Sequence, residues 1–257
     1  MAKPKVAIAT LLIGASYQQM WRRYCEISWR KYANHYDFDL LIGDAALAPS
    51  GANHTLTWQK LLIGRLPDVS RYDYVVWIDG DIVITMQETP PNILDGMDPE
   101  KIGAVRDHAL LSYPMYEGKH RALCGGLSWP EFAQAVFAEA GIDAPWDCLL
   151  NSGVLVVPKA KLGFLEDVYT KYNDRPVHPQ QGEQPFLSYE LHKNNLLHLL
   201  DERFNAIWYE FLMASYWTDA PSFVLHAAVQ KVLSTVYFLH FTGDKGDMRH
   251  LEQPTPK

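Results

Sequence analysis

Four β-branched or aromatic residues, Val75-Val76-Trp77-Ile78, run directly into Asp79-Gly80-Asp81 and then Ile82-Val83-Ile84. An unbroken apolar run of this length marks a strand covered on both faces, as in α/β sheets, where ligand sites gather at strand ends. Two carboxylates at such an end are poorly solvated and repel each other. A cation or a basic group has to compensate them, which makes the pair a candidate metal site. Asp-Gly is also a common turn dipeptide, and on local sequence the polar turn stands as an equal alternative.

The 257 residues are 48% hydrophobic and 12% aromatic, enough to bury a full core. No linker, repeat or charge block divides them, so the expectation is a single domain over 1–257. A first part, about 1–108, would hold the carboxylate pair, and a second, about 109–250, would complete the candidate metal site. A formal charge of -7 excludes nucleic acid as the main partner. Any positive charge needed for an anionic substrate must be local. Cys25, Cys124 and Cys148, odd in number and without metal-ligand spacing, read as core residues of a reduced, cytoplasmic protein. Nowhere do the ~20 apolar residues of a membrane span occur in a row.

The chain begins with a buried strand at Lys5–Ile13, whose end, Ala9, Thr10 and Leu11, is a natural site for a nucleotide base. Ser16 and Gln19 read as a capping box that opens a helix with apolar positions Tyr17, Trp21, Tyr24, Ser28 and Tyr32. Its other face carries Arg22, Arg23, Arg30 and Lys31, a solvated face or a weak peripheral contact with an anionic membrane. A second strand at Phe38–Ile42 completes a strand-helix-strand opening. A polar loop over Gly43–His54 leads to a short helix around Thr57–Leu66, from which Lys60 is expected to reach the carboxylates.

Beyond the Asp-Gly-Asp stretch, a strand from Ile102 ends in Arg106-Asp107-His108, and residues 109–127 have the look of a closing loop. Ser128 and Glu131 form a second capping box, with the helix ending at Gly141. Asn151-Ser152-Gly153 opens another buried strand and would let a ligand approach the backbone closely. Helix is expected at Lys161–Tyr172, then a loop, then helix from Glu183-Gln184 to His192 and strand at Leu196–Leu200. The last strand, Val236–Phe241, carries His240 ahead of a Gly243 turn and Lys245, the composition of a phosphate and metal corner.

Asp79-Gly-Asp81-Ile-Val83 also fits the Asp-x-Asp-x-Thr/Val pattern of haloacid-dehalogenase-like phosphatases, with Asp79 as nucleophile. That motif normally lies on the first strand, whereas here a whole strand-helix-strand unit precedes it. A broader set of motifs points elsewhere. Trp58-x-Lys60, the Tyr72–Asp81 block, Asn151-Ser-Gly-Val-Leu, Glu183-Gln184, Arg203-Phe-Asn205 and His240-Phe-Thr-Gly-Asp-Lys245 follow in that order over residues 5–246. In this the chain resembles nucleotide-sugar glycosyltransferases of the GT-A fold, an α/β fold with a mixed central sheet flanked by helices. It is most like the galactosyl-, mannosyl- and xylosyltransferase family that includes the yeast Golgi mannosyltransferases, with likeness to glycogenin.

The resemblance implies a metal held by Asp81 and His240, with Asp79 on the metal, the donor ribose or both. It also implies a diphosphate held by Lys245 and Gly243, and a UDP-sugar or GDP-sugar donor cradled by Ala9–Leu11, Lys60, Gly80, Arg106, Ser152 and Gly153. Asp107 and Asn151 would bond the donor sugar and Gln184 would lie near the anomeric carbon. Arg106 would steady the carboxylates. One imidazole among oxygens suits Mn²⁺ better than Mg²⁺. The acceptor would be a glycan or another hydroxyl, attacked with retention of configuration. Asp244 stands where the family usually has cysteine, no Lys-Pro-Trp follows, and Asp147 lies four rather than three residues before Asn151. A catalytically silent nucleotide- or glycan-binding relative is the remaining alternative.

Overall fold

The computed structural model describes residues 3–49, 55–172, 175, 181–215, 217–243 and 245–252. The last positions of the polar loop at Gly43–His54, most of the loop after Tyr172, and Asp244 lie outside them. In chain order the elements are β1 (Val6–Leu11), α1 (Ala15–Tyr24), α2 (Glu26–Tyr36), β2 (Asp39–Gly43), β3 (Tyr74–Ile78), β4 (Ile82–Ile84) and β5 (Ile102–Arg106). There follow α3 (Glu117–Leu123), α4 (Trp129–Glu139), β6 (Leu150–Pro158), α5 (Leu162–Lys171), α6 (Gln184–Lys193) and β7 (Leu197–Leu199). The last are β8 (Ala206–Ile207), α7 (Trp208–Ser215), α8 (Ser222–Leu233) and β9 (Phe238–His240).

Six strands form the main sheet in the order β2-β1-β3-β6-β5-β7, and β4-β9-β8 form a second, smaller one. β1 and β6, buried throughout, and β3, buried from Val75 to Ile78, occupy the middle of the main sheet, as their continuous apolar runs require. β1 runs parallel to β2 and β3, whereas β6 is antiparallel to both β3 and β5, so the sheet is mixed. The aspartate stretch joins the two sheets: β3 belongs to the main one, β4 to the small one, and Asp79-Gly80-Asp81 is the link between them.

A core shared by β1, β3, β6, α1, α2, α8 and the small sheet fills one side of the main sheet. Trp29, fully buried in α2, donates from its indole Nε1 to the Ile82 carbonyl at 2.8 Å and so fixes α2 to β4. On the other side Trp58, Leu61 and Leu62 pack with α5 and α6. No described helix is long and apolar enough to cross a membrane.

Three local expectations change. The first helix has Gly14 (φ 93) at its N-cap with no side-chain cap, so Ser16 lies inside it, and the expected long helix is interrupted at Cys25. Residues 57–65 are 3₁₀ rather than α, with a kink at Leu62. The stretch 109–127 is not structureless: it forms a 3₁₀ turn at Pro114–Tyr116 and then α3, with Leu111 and His120 buried. The Ser128–Glu131 capping box is present.

Candidate active site

Sheet register brings the two halves of the site together. β4 pairs antiparallel with β9 so that Ile82 faces His240, and the Phe241 amide donates to the Asp81 carbonyl at 3.0 Å. His240 Nε2 then lies 3.5 Å from Asp81 Oδ1 and 4.0 Å from Asp79 Oδ2. On the main sheet the Asp79 amide donates to Gly153 O at 2.8 Å, which sets Asn151-Ser152-Gly153 beside the carboxylates. A Cβ on Gly153 would come within 2.4 Å of His240 Cε1. Glycine is the residue that lets the imidazole sit against β6.

The protonation of that imidazole follows from its neighbours. The Gly153 amide, which can only donate, gives its hydrogen to Asn151 Oδ1 at 2.9 Å, and Asn151 Nδ2 donates to Asp107 Oδ1 at 3.0 Å. Asn205 must therefore present its Nδ2 to Asn151 Oδ1 (2.8 Å), leaving Asn205 Oδ1 to accept from His240 Nδ1 at 2.9 Å. With Nδ1 donating to Asn205, Nε2 is the ring nitrogen turned toward the two carboxylates and the one a metal would take. One ligand atom from each of Asp79, Asp81 and His240 lies within 4.8 Å of the others. The set fits a divalent ion with mixed nitrogen and oxygen ligands.

Basic groups flank the set. Lys60, fully buried, donates to Asp79 Oδ2 at 3.0 Å and lies 3.4 Å from Glu183 Oε1. Burial opposes its charge, but Asp79 and Glu183 outweigh burial and hold its pKa above the usual lysine value. Trp77 Nε1 donates to Asp79 Oδ1 at 2.7 Å, so both oxygens of that carboxylate already have a partner. Lys245, half-exposed, lies 3.4 Å from Asp81 Oδ2 and over the Tyr17 ring. Burial would raise the Asp81 pKa, yet His240 and Lys245 bring it down to about 2. A Cβ on Gly80 would meet Leu12 at 2.6 Å and Tyr17 at 3.1 Å, so a side chain there would crowd both.

Asp79 and His240 line a cavity of about 860 Å³, together with Lys60, Asp107, Asn151, Ser152, Gly153, Gln184 and Gly243. Asp107 is buried and its Oδ2 has no hydrogen-bond partner, a polar atom left for something in the cavity. Gln184 begins α6 and accepts from the Ser152 amide at 3.1 Å through Oε1. The structure does not bring every expected residue here. Arg106 is exposed at the end of β5 and is not among the lining residues, so it does not reach the carboxylates. Ala9, Thr10 and Leu11 are buried within β1, away from the cavity lining. Asn205 and Glu183, quoted in motifs but given no role, turn out to orient His240 and Lys60. Their burial and their fixed distance from strand ends are visible only in three dimensions.

No protein-family model and no curated protein matches the chain. Solved structures do. A glycosyltransferase involved in glycosylation of the major capsid of PBCV-1 superposes with TM-score 0.60 at 14% identity, covering 96% of this chain and 98% of that one. WbbM, a bifunctional glycosyltransferase, gives 0.53 at 12% identity over 98% of this chain but only 50% of its own. The galactosyltransferase LgtC, in complex with donor and acceptor sugar analogs, gives 0.50 at 14% identity over 93% and 87%. The chain has the GT-A fold of such glycosyltransferases.

Proposed function

We propose that this chain transfers a sugar from a UDP- or GDP-linked donor to a glycan or other hydroxyl acceptor, with a divalent metal and with retention of configuration. The observation that carries the proposal is the convergence of Asp79, Asp81 and His240, whose ligand atoms lie within 4.8 Å of one another beside a large cavity. Likeness in fold to solved glycosyltransferases, the galactosyltransferase LgtC among them, supports it, and so does the order of the motifs. Cytoplasmic work on cell-surface polysaccharide, by the chain acting as one domain, completes the proposal.

When the bond from the anomeric carbon to the diphosphate breaks, negative charge collects on the leaving nucleotide. A divalent cation held by Asp79, Asp81 and His240, with Mn²⁺ the best suited, would neutralise it as a Lewis acid. Lys245 adds a positive charge at the same edge, and the role belongs to the transition state because the charge is greatest there. Asp107 Oδ2 and the Asn151 amide are available to sugar hydroxyls. Gln184, held by Ser152, would lie near the anomeric carbon without having to act as a base, since front-face attack needs none. A phosphatase reading is not favoured, because β1, α1, α2 and β2 all precede the Asp79 strand, whereas that motif belongs on a first strand.

Thermal shift with a panel of UDP- and GDP-sugars, with and without Mn²⁺, tests the proposal. A donor at 100 times its Kd should add about 2.7 kcal/mol to stability, and only with metal present. A panel in which no nucleotide sugar shifts the melting temperature and none is hydrolysed or transferred would overturn it. Binding without turnover would favour the silent relative. Lys245→Ala should lower kcat by roughly 100-fold or more with a smaller change in KM.

A further inference from the structure

A second group of metal-type ligands lies outside the carboxylate site. One ligand atom from each of His108, His120 and Cys124 lies within 4.8 Å of the others. His120 and Cys124, four residues apart, share one face of α3 and its C-cap. His108 comes from the end of β5, in the left-handed backbone region (φ 48), a conformation that costs a non-glycine residue of order 1 kcal/mol. We propose that these three residues bind a zinc ion that ties α3 to the end of β5, at the wall of the donor cavity.

The ligand chemistry and the neighbours support this. Two imidazoles and a thiolate form a soft, nitrogen and sulfur set that selects Zn²⁺ over the Mn²⁺ or Mg²⁺ suited to carboxylates and phosphate. His120 Nδ1 faces the Leu127 carbonyl at 3.2 Å; a carbonyl only accepts, so Nδ1 carries the proton and Nε2 is free to coordinate. That Nε2 lies 3.5 Å from Cys124 Sγ. A backbone carbonyl behind a ligating histidine is the usual outer-shell arrangement of zinc sites. His108 Nδ1 is buried with no hydrogen-bond partner, an orphan that coordination or its consequence for the ring would relieve. The Trp129 and Phe132 rings pack against both imidazoles and hold the two rings in place. Three protein ligands leave the fourth tetrahedral position to water, and the charge of Asp107, next in sequence to His108, helps balance the ion.

The test uses full-length protein kept reduced and loaded with Zn²⁺ or Co²⁺ alone. The wild type should retain about one zinc per chain against a weak chelator, and its Co²⁺ form should show a thiolate-to-cobalt charge-transfer band. Cys124→Ser should lose that band, and His120→Ala should weaken zinc binding more than about tenfold. An Asp79→Asn, Asp81→Asn double variant should keep both the zinc and the band, which separates this ion from the one at the carboxylates and makes the outcome independent of sugar transfer. A wild-type Co²⁺ spectrum without the thiolate band would overturn the proposal whether or not the variants fold. So would zinc lost in the aspartate double variant and kept in Cys124→Ser.

Discussion

The proposed function rests most heavily on Asp81 and His240 as metal ligands. Replacing either by alanine should abolish metal-dependent transfer while leaving the circular dichroism spectrum in place, and Mn²⁺ titration by electron paramagnetic resonance should show the loss of binding directly. Unchanged metal affinity in either variant would refute the ligand assignment. Gly153→Ala makes a subtler case. Its new methyl would strike His240 Cε1, and since β6 and β9 are both paired on two sides, the imidazole side chain rather than either backbone is the group that yields. Metal affinity should fall at least about tenfold with the strand pairing retained. The histidine could be found in the sequence because it sits just ahead of a glycine and a lysine. What could not be found was its tautomer, which depends on Asn151 from β6 and Asn205 from the 3₁₀ turn just before β8.

Among elements, α7 holds a group whose ionisation the sequence hides. Glu210 is fully buried and accepts from the Leu111 amide at 3.0 Å; burial, with a smaller contribution from Asp107, pushes its pKa up to about 8. A carboxyl raised from its ordinary 4.5 contributes stability that is whole below about pH 4.5 and lost as pH rises through 8, by a few kcal/mol at most. Glu210→Gln, which keeps the acceptor, should therefore stabilise the protein at pH 9 relative to wild type and make little difference at pH 4.5, read from urea midpoints. An equal effect at both pH values would mean that the group is not protonated in the native state. Elements with strong periodicity were readable in advance: β1, β3 and β6 from unbroken apolar runs, α4 from its capping box. The α1–α2 pair was read as one helix because apolar spacing passes through Cys25 without a change of phase. Residues 109–127 were read as loop because their order comes from tertiary contacts, such as Leu111 on Glu210, rather than from local pattern. This segment follows directly on Asp107 and His108, which line the cavity, and hydrogen exchange within it should slow when donor and metal bind; exchange unaffected by either would remove any role in closure.

Across the molecule, two sheets that differ in size carry different halves of one site. The main sheet supplies Asp79, Asn151 and Gly153, and the small sheet supplies His240, with Asp79-Gly80-Asp81 as the connection. The mixed α/β class was readable from strand and helix order, but the pairing of β4 with β9 was not, because each is only three residues long. That short pairing has a consequence for biosynthesis. Aspartates made early wait for a histidine made about 160 residues later. During synthesis the nascent chain can therefore complete its central strands and still hold a half-made ion site, with Asp79 screened by Lys60 and Asp81 left bare. The candidate site is then completed in a single step, when residues 238–240 leave the ribosome and β9 slots between β4 and β8.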